Sequence, residues 1–200
     1  MPRVSRKQAD LNREIIVEAA TRLFRERGLH GISVVDVMAA AGLTHGGFYG
    51  HFASKDHLAE QACSAGLAKT TRRLETLARD APEAGLADIA RDYLTKQHRD
   101  DSGNGCVFAA LGGDVARSSN AVRSTVTKGI RAQLGILERA AKSRSKVSRR
   151  EQAITALSGM VGAMVVARLV NDSTLSDEIL TVAASAFGGN KNDNQKRTAV

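Results

Sequence analysis

SVVDVMAAAGLTHGGFYGHFASKD, residues 33–56, decides how the rest of the chain is read. Ser33 and Asp36 make a Ser-x-x-Asp start, in which the Ser33 hydroxyl accepts an amide proton from the first turn. Val35, Val37, Met38 and Ala41 give the helix that follows an apolar side. Gly42 can take the positive φ that ends a helix without a Cβ clash, and Leu43 is the apolar plug of such a turn. Thr44 caps a second short helix over 45–50. Phe48 and Phe52 share one side of that segment and anchor it to a core, which leaves His45, Gly46, Tyr49 and Lys55 for the outside. Two short helices joined by a glycine turn are the geometry that lets one helix lie in a DNA major groove.

Upstream, Leu23-Phe24-Arg25-Glu26-Arg27-Gly28 closes a first helix, and downstream the motif ends Gly46-Gly47-Phe48-Tyr49-Gly50-His51-Phe52-Ala53-Ser54-Lys55. With Ser33 and Ala41-Gly42 between them, residues 11–60 resemble the DNA-binding domain of the TetR family of bacterial transcriptional regulators. Gly50 departs from the family pattern, which often has a larger, commonly aromatic residue there. It costs roughly 0.5–1 kcal/mol of helix propensity relative to alanine and removes one side chain that could touch DNA. The remainder of the chain resembles the family only in length and helical texture.

Composition supports an all-α chain. There are two prolines, Pro2 and Pro82, in 200 residues, and alanine, leucine and arginine are frequent. The two cysteines, Cys63 and Cys106, have no metal-like spacing, and a reduced cytoplasmic protein is the simplest reading. No apolar signal core follows the basic start. The net charge of +8 suggests a polyanionic partner, but residues 1–60 hold eight Lys/Arg against seven Asp/Glu. The argument for DNA therefore rests on where charges sit in the motif and not on the total. The densest basic run, Arg139 to Arg150, reads as a solvated loop between helices or as an extra nucleic-acid contact.

The expected organisation is a basic arm over 1–9, a three-helix helix-turn-helix domain over 10–54 with its motif at about 33–52, and a larger helical ligand-binding and dimerisation domain over 55–188. Residues 189–200 are expected to be a disordered tail. About nine helices are predicted. The first runs over 10–27, with Leu11, Ile15, Ala19, Leu23 and Phe24 on its buried face. Ser54 caps a long helix over 55–80, with Leu58, Ala62, Leu74 and Leu77 inward, and Pro82 marks its break. Further helices are predicted over 86–98, 106–117, 120–142, 148–170 and 174–187, with a polar loop at 99–105. Ser148 and Glu151 read as a second capping box, and Gly188 as the final stop.

The helix over 148–170 bears on assembly. Between Ala153 and Ala167 it has no charge, and small residues surround the whole wheel. That run is shorter than the roughly 20 residues a bilayer needs, so no membrane partner is expected. A helix apolar on all sides is buried on all sides, either inside one subunit or between two. A homodimer is the reading taken, with this helix and the next packing against their symmetry mates. The interface candidates are Ala156, Gly159, Ala163, Ala167, Leu180 and Ala184.

A helix-turn-helix dimer places two recognition helices in successive major grooves, so the partner is double-stranded DNA with a near-palindromic operator. The DNA-binding candidates are Ser33, Thr44, His45, Gly46, Gly47, Tyr49, His51 and Lys55. Tyr49 and Lys55 suit phosphate oxygens, Thr44 sits where amides attract anions, and His45 and Gly46 face base edges. In the resembling family the positions matching Thr44, His45, Gly46, Tyr49 and Lys55 commonly touch DNA. His51 reads equally as a phosphate contact or a half-buried structural histidine. The resemblance also implies a repressor released by a small-molecule effector. Candidate pocket walls are Tyr93, His98, Cys106, Phe108, Leu111 and Met164, each of which also reads as an ordinary core residue.

Rival readings are a ligand-independent or activating DNA-binding regulator, and a helical enzyme using the His98, Asp100 and Cys106 region. The enzyme reading lacks a phosphate-cradling loop, a nucleophile elbow or an HExxH spacing. No cofactor, no metal and no catalytic residue is expected.

Overall fold

The computed structural model describes residues 5–80, 85–142 and 146–187. Pro82, Gly188, Arg3 and the tail over 189–200 lie outside them. Among the described residues the chain is all-α. Its helices are α1 (Arg6–Arg27), α2 (Val34–Ala40), a short 3-10 helix (His45–Gly50), α3 (Lys55–Asp80), α4 (Leu86–Tyr93), α5 (Lys96–Asp100), a 3-10 turn (Ser102–Asn104), α6 (Val107–Ala116), α7 (Asn120–Ala140), α8 (Lys146–Leu169) and α9 (Ser173–Ala186).

The chain divides into two compact units, 1–72 with 101–132, and 73–100 with 133–200. The boundary expected at residue 55 is not where compactness changes. In the first unit, Leu58, Ala62 and Leu67 of α3 share one core with Ile16 and Phe24 of α1, Phe48 and Phe52 of the motif, and Val107, Leu111 and Val122 of the α6–α7 region. Cores follow buried apolar surface, and α3 buries its first four turns with the helices that precede it.

α1 starts at Arg6, four residues before the predicted start, because Ser5 caps it: its Oγ accepts from Gln8 N at 3.2 Å. Residues 6–9, predicted to lie in an arm, are therefore helical. The buried stripe is Ile16, Ala20, Leu23 and Phe24, while Leu11 and Ile15 are 49% and 38% exposed. The predicted stripe was one position out of phase in its first half. Gly28 ends α1 at φ +80°, and Leu29 N donates to Asp114 Oδ2 at 2.7 Å, which ties the α1 end to α6.

In the second unit α8 packs on α9, and α4 packs on both. The helix predicted over 86–98 is two helices. Leu94 leaves helical geometry with its N–H still on Ala90 O, and Thr95 then caps α5 by accepting from His98 N at 3.1 Å. A threonine hydroxyl offers a new start where the old helix has ended. Arg99 and Asp100, predicted as loop, belong to α5. Arg99 donates to Asp177 Oδ1 at 2.7 Å and Ser176 Oγ at 2.8 Å. Arg168 donates to the carbonyls of His98 and Arg99 at 2.6 and 3.0 Å, so α5, α8 and α9 are pinned together by charge-assisted bonds.

α8 begins at Lys146, so Ser148 and Glu151 fall inside its first turns and do not start it. α9 is capped by Asp172, whose carboxylate accepts from Thr174 N and Leu175 N. The helical stretch Ser148–Leu169 is 22 residues, longer than the uncharged run alone and long and apolar enough by composition to cross a membrane. Ala153, Ala156, Met160, Met164 and Ala167 are buried along one side of it within the unit, the pattern of a core-facing helix.

Candidate nucleic-acid interface

The capping box at α2 is present in both directions. Ser33 Oγ accepts from Asp36 N at 3.1 Å, and the Asp36 carboxylate accepts from Ser33 N at 2.9 Å and from the Ser33 hydroxyl at 2.6 Å. Those Ser33 bonds hold the Asp36 carboxyl below its usual range. The Ser33 hydroxyl proton is spent inside the cap, so Ser33 serves the interface as the start of α2.

The turn after α2 carries paired bonds: Leu43 N to Met38 O at 2.9 Å and Gly42 N to Ala39 O at 3.0 Å, with Gly42 at φ +70°. That double closure is the Schellman end of a helix, and it requires the left-handed conformation at Gly42. Leu43 is half-buried against the first unit's core, as a plug. Met38 and Val37 are buried, but Val35 is 54% exposed, outside the apolar side predicted for it.

Residues 45–50 form a 3-10 helix. Thr44 precedes it with extended backbone and makes no side-chain cap bond; its carbonyl accepts from Gly47 N at 3.1 Å. Phe48 and Phe52 are 0% and 1% exposed, stacked with centroids 5.6 Å apart. Burying each ring contributes about 1.5–3 kcal/mol, and this pair fixes the short helix to the core. Arg13 of α1 places its guanidinium 4.7 Å over the Phe52 ring, a support that spacing within the motif could not reveal. The opposite side points outward. Thr44, His45, Gly46 and Gly47 are exposed, and Tyr49 is 71% exposed, edge-on to Phe48 at 5.2 Å and to His45 at 6.4 Å. Lys55, at the start of α3, and His51 are half-buried. Ser54 Oγ caps α3 by accepting from His57 N at 3.1 Å. The structure therefore brings Thr44, His45, Gly46, Gly47 and Tyr49 onto one short exposed element, with Lys55 five residues beyond its end.

The six pocket candidates are drawn from both units. Tyr93, His98 and Met164 belong to the second unit, and Cys106, Phe108 and Leu111 to the first. His98 Nδ1 lies 2.7 Å from Tyr93 O, with the two rings edge-to-face at 4.4 Å. Both cysteines are buried, and burial pushes the Cys63 thiol up to about 11. A groove of about 1030 Å³ lies between α1 and α3, and none of the six lines it. Among the described residues no three His, Cys, Asp or Glu side chains form a metal-holding group.

The interface candidates on α8 and α9 are likewise divided. Ala156, Ala167 and Leu180 are 1–3% exposed and face inward within the unit; Ala163 and Ala184 are half-buried. Gly159 is exposed, and a Cβ added there would fall 2.8 Å from Phe187 Cζ of the same chain. The apolar residues left outside are Ile154, Val166 and Leu169 of α8 and Leu175 and Val182 of α9.

An exposed short helix, seated by a glycine turn and two buried phenylalanines on a three-helix unit, defines the class: a helix-turn-helix protein with a helical remainder. Residues 16–62 match the family model for bacterial regulatory proteins, tetR family, so the helix-turn-helix segment is similar to that family. The chain is 28% identical over 116 residues to the HTH-type transcriptional repressor DhaR of Mycobacterium sp. (strain GP1), covering 58% of each. It is 31% identical over 101 residues to the HTH-type transcriptional repressor AcnR of Corynebacterium diphtheriae, covering 50% of each. These matches span about half the length of the curated relatives. Among solved structures, E. coli NemR in its reduced form superposes with a TM-score of 0.72 at 23% identity, covering 88% of this chain and 94% of that one. A TetR-family regulator from Cytophaga hutchinsonii superposes with a TM-score of 0.72 at 20% identity, covering 94% and 98%. The all-helical fold is shared along nearly the whole chain.

Proposed function

We propose that this chain is a cytoplasmic, homodimeric transcriptional repressor that binds a near-palindromic operator and is released by a small-molecule effector. The observation that carries the reading is the outward His45–Tyr49 element on its buried Phe48–Phe52 seat, inside the segment that matches the family model. His45, at the opening of the short helix, reads base edges. Gly46 and Gly47 let the backbone approach the duplex. Tyr49 and Lys55 hold phosphates and set the register. The relatives named as transcriptional repressors support the sign of regulation.

The second copy is supported by the apolar stripe on α8. Ile154, Ser158, Gly162 and Val166 recur four apart and are exposed in one protomer, and α9 adds Leu175 and Val182. Exposed apolar residues repeating on one helix face call for a partner. Effector binding would favour a dimer whose recognition helices are wrongly spaced, through a tilt of α3.

The test is to select bound fragments from genomic DNA with purified protein, then screen compounds that release them. A palindromic consensus and at least one releasing compound are expected. No enrichment over random fragments at low ionic strength would overturn the reading.

A further inference from the structure

The α1–α3 groove lies wholly within the first compact unit, and none of the DNA-binding candidates lines it. Its walls are charged in two zones. On α1, Asp10, Glu14 and Glu18 follow one another at steps of four along the first stretch, with Arg13 as the one cation among them. At the other end stand Arg22 and Arg25, with Lys69 and Arg72 of α3. The register between the helices is set by Thr21 Oγ1 at 3.3 Å from Ala62 O, and by Gly66, whose added Cβ would fall 3.4 Å from Arg25 Nη1. Lys69 and Arg72 occupy the turns of α3 that follow Gly66, so they extend the wall beside Arg25.

Arg25 is the unusual member. It lines the groove and is 6% exposed. Its Nη1 donates to Gly105 O at 2.9 Å, its Nε is buried with no acceptor, and no carboxylate lies within ion-pair distance among the described residues. Burial lowers its proton affinity, opposed by the more distant Cys106, Asp101, Cys63 and Glu26. A buried cation held by one carbonyl is costly, since buried charges are normally paired. Room for it is made by Gly66, where a Cβ would come within 2.8 Å of Val107 Cγ2. Lys69 and Arg72 are exposed and have no ion-pair partner among the described residues, whereas Arg22 pairs with Glu26 at 3.5 Å.

We propose that this groove binds a small organic anion, whose carboxylate or phosphate sits at the Arg22, Arg25, Lys69 and Arg72 end. Guanidinium groups match both acid groups bidentately. Ile15, Ala65 and Ala68 offer apolar wall for the organic body. The three carboxylates at the far end repel a polyanion along the groove, so a small molecule fits it better than a nucleic-acid backbone.

The experiment uses the full-length protein without DNA, with sodium phosphate and sodium succinate as separate probes, each against sodium chloride at matched ionic strength. Thermal melting is expected to rise saturably with at least one probe, and the stronger probe identifies the acid group. The K69A/R72A variant should melt at the wild-type temperature when unliganded and need at least about tenfold more probe. Glu14→Gln should need less. Equal response to probe and chloride, or an unchanged midpoint in the double variant, would overturn the proposal. So would displacement of the bound probe by duplex DNA, which would make the groove part of the DNA footprint; repression could still hold in any of these cases.

Discussion

Tyr49 and Phe48 are neighbours in sequence and opposite in environment, 71% against 0% exposed. That alternation was legible because a buried ring and a displayed hydroxyl leave different patterns in six residues. Lys55 is the residue whose contribution can be counted. If it neutralises one phosphate, Lys55→Ala should flatten the salt dependence of DNA binding by about one unit per half-site, hence about two per dimer. Binding titrations at several salt concentrations check this, and an unchanged slope removes Lys55 from the interface. Gly50 gives a second handle. It has ordinary negative φ, and an added Cβ would meet nothing within 4 Å. Gly50→Ala should therefore stabilise the protein by about 0.4–1 kcal/mol, a melting rise of roughly 1–4 °C by calorimetry. A fall would show that the 3-10 helix does not tolerate a side chain there. Arg25 was not legible as a buried cation, because its position next to Phe24 in an alternating polar and apolar helix end does not reveal what α3 and α6 place around it.

Some end signals hold in the structure and others do not: Ser33, Gly42 and Ser54 mark real ends, whereas Thr44 makes no cap bond and α8 starts before Ser148. The α2 capping box, the Gly42 turn and the Ser54 start of α3 all follow from local hydrogen-bond chemistry. Ser33→Ala should cost about 0.5–2 kcal/mol in urea denaturation, since the hydroxyl makes the bonds to Asp36 N and to the Asp36 carboxylate; a smaller loss would mean that the Asp36 carboxylate on Ser33 N holds the cap alone. The break between α4 and α5 was missed because the apolar rhythm runs through Leu94, and only Thr95's competing bond ends it. α5 also carries a titration. Burial lowers His98 from its ordinary 6.5, followed by the raising effect of the Tyr93 carbonyl, with Arg168 and Arg73 lowering it and Asp92 raising it. The folded state thus prefers the neutral ring. Its contribution is complete above the unfolded value and is lost as pH falls below about 6.5. His98→Gln should flatten stability between about pH 7 and 5, read from denaturant melts; an equal slope in both proteins would contradict it.

At the scale of the molecule, the uncharged stretch of α8 predicts burial on all sides, whereas within one protomer Ala153, Ala156, Met160, Met164 and Ala167 are buried and Ile154, Ser158, Gly162 and Val166 are exposed. With Ala and Gly all round the wheel, no single side stands out from the sequence as the one that faces a partner. The exposed stripe through Val166 is the better place to test assembly, because substitution there leaves the protomer's own packing alone. Val166→Glu, 47% exposed in one protomer, should weaken the dimer at least about tenfold in sedimentation at micromolar concentration. A variant that sediments as wild type would exclude this face. On the proposed function, the short helix displaying His45 and Tyr49 is seated in duplex DNA. The most direct measurement is fluorescence anisotropy of a genome-selected duplex, titrated with wild type and with Tyr49→Ala and His45→Ala at 50 and 200 mM salt. Wild type should bind with a steep salt dependence, and each variant, melting as wild type does, should bind at least about tenfold more weakly. Equal affinity for all three proteins would contradict the claim.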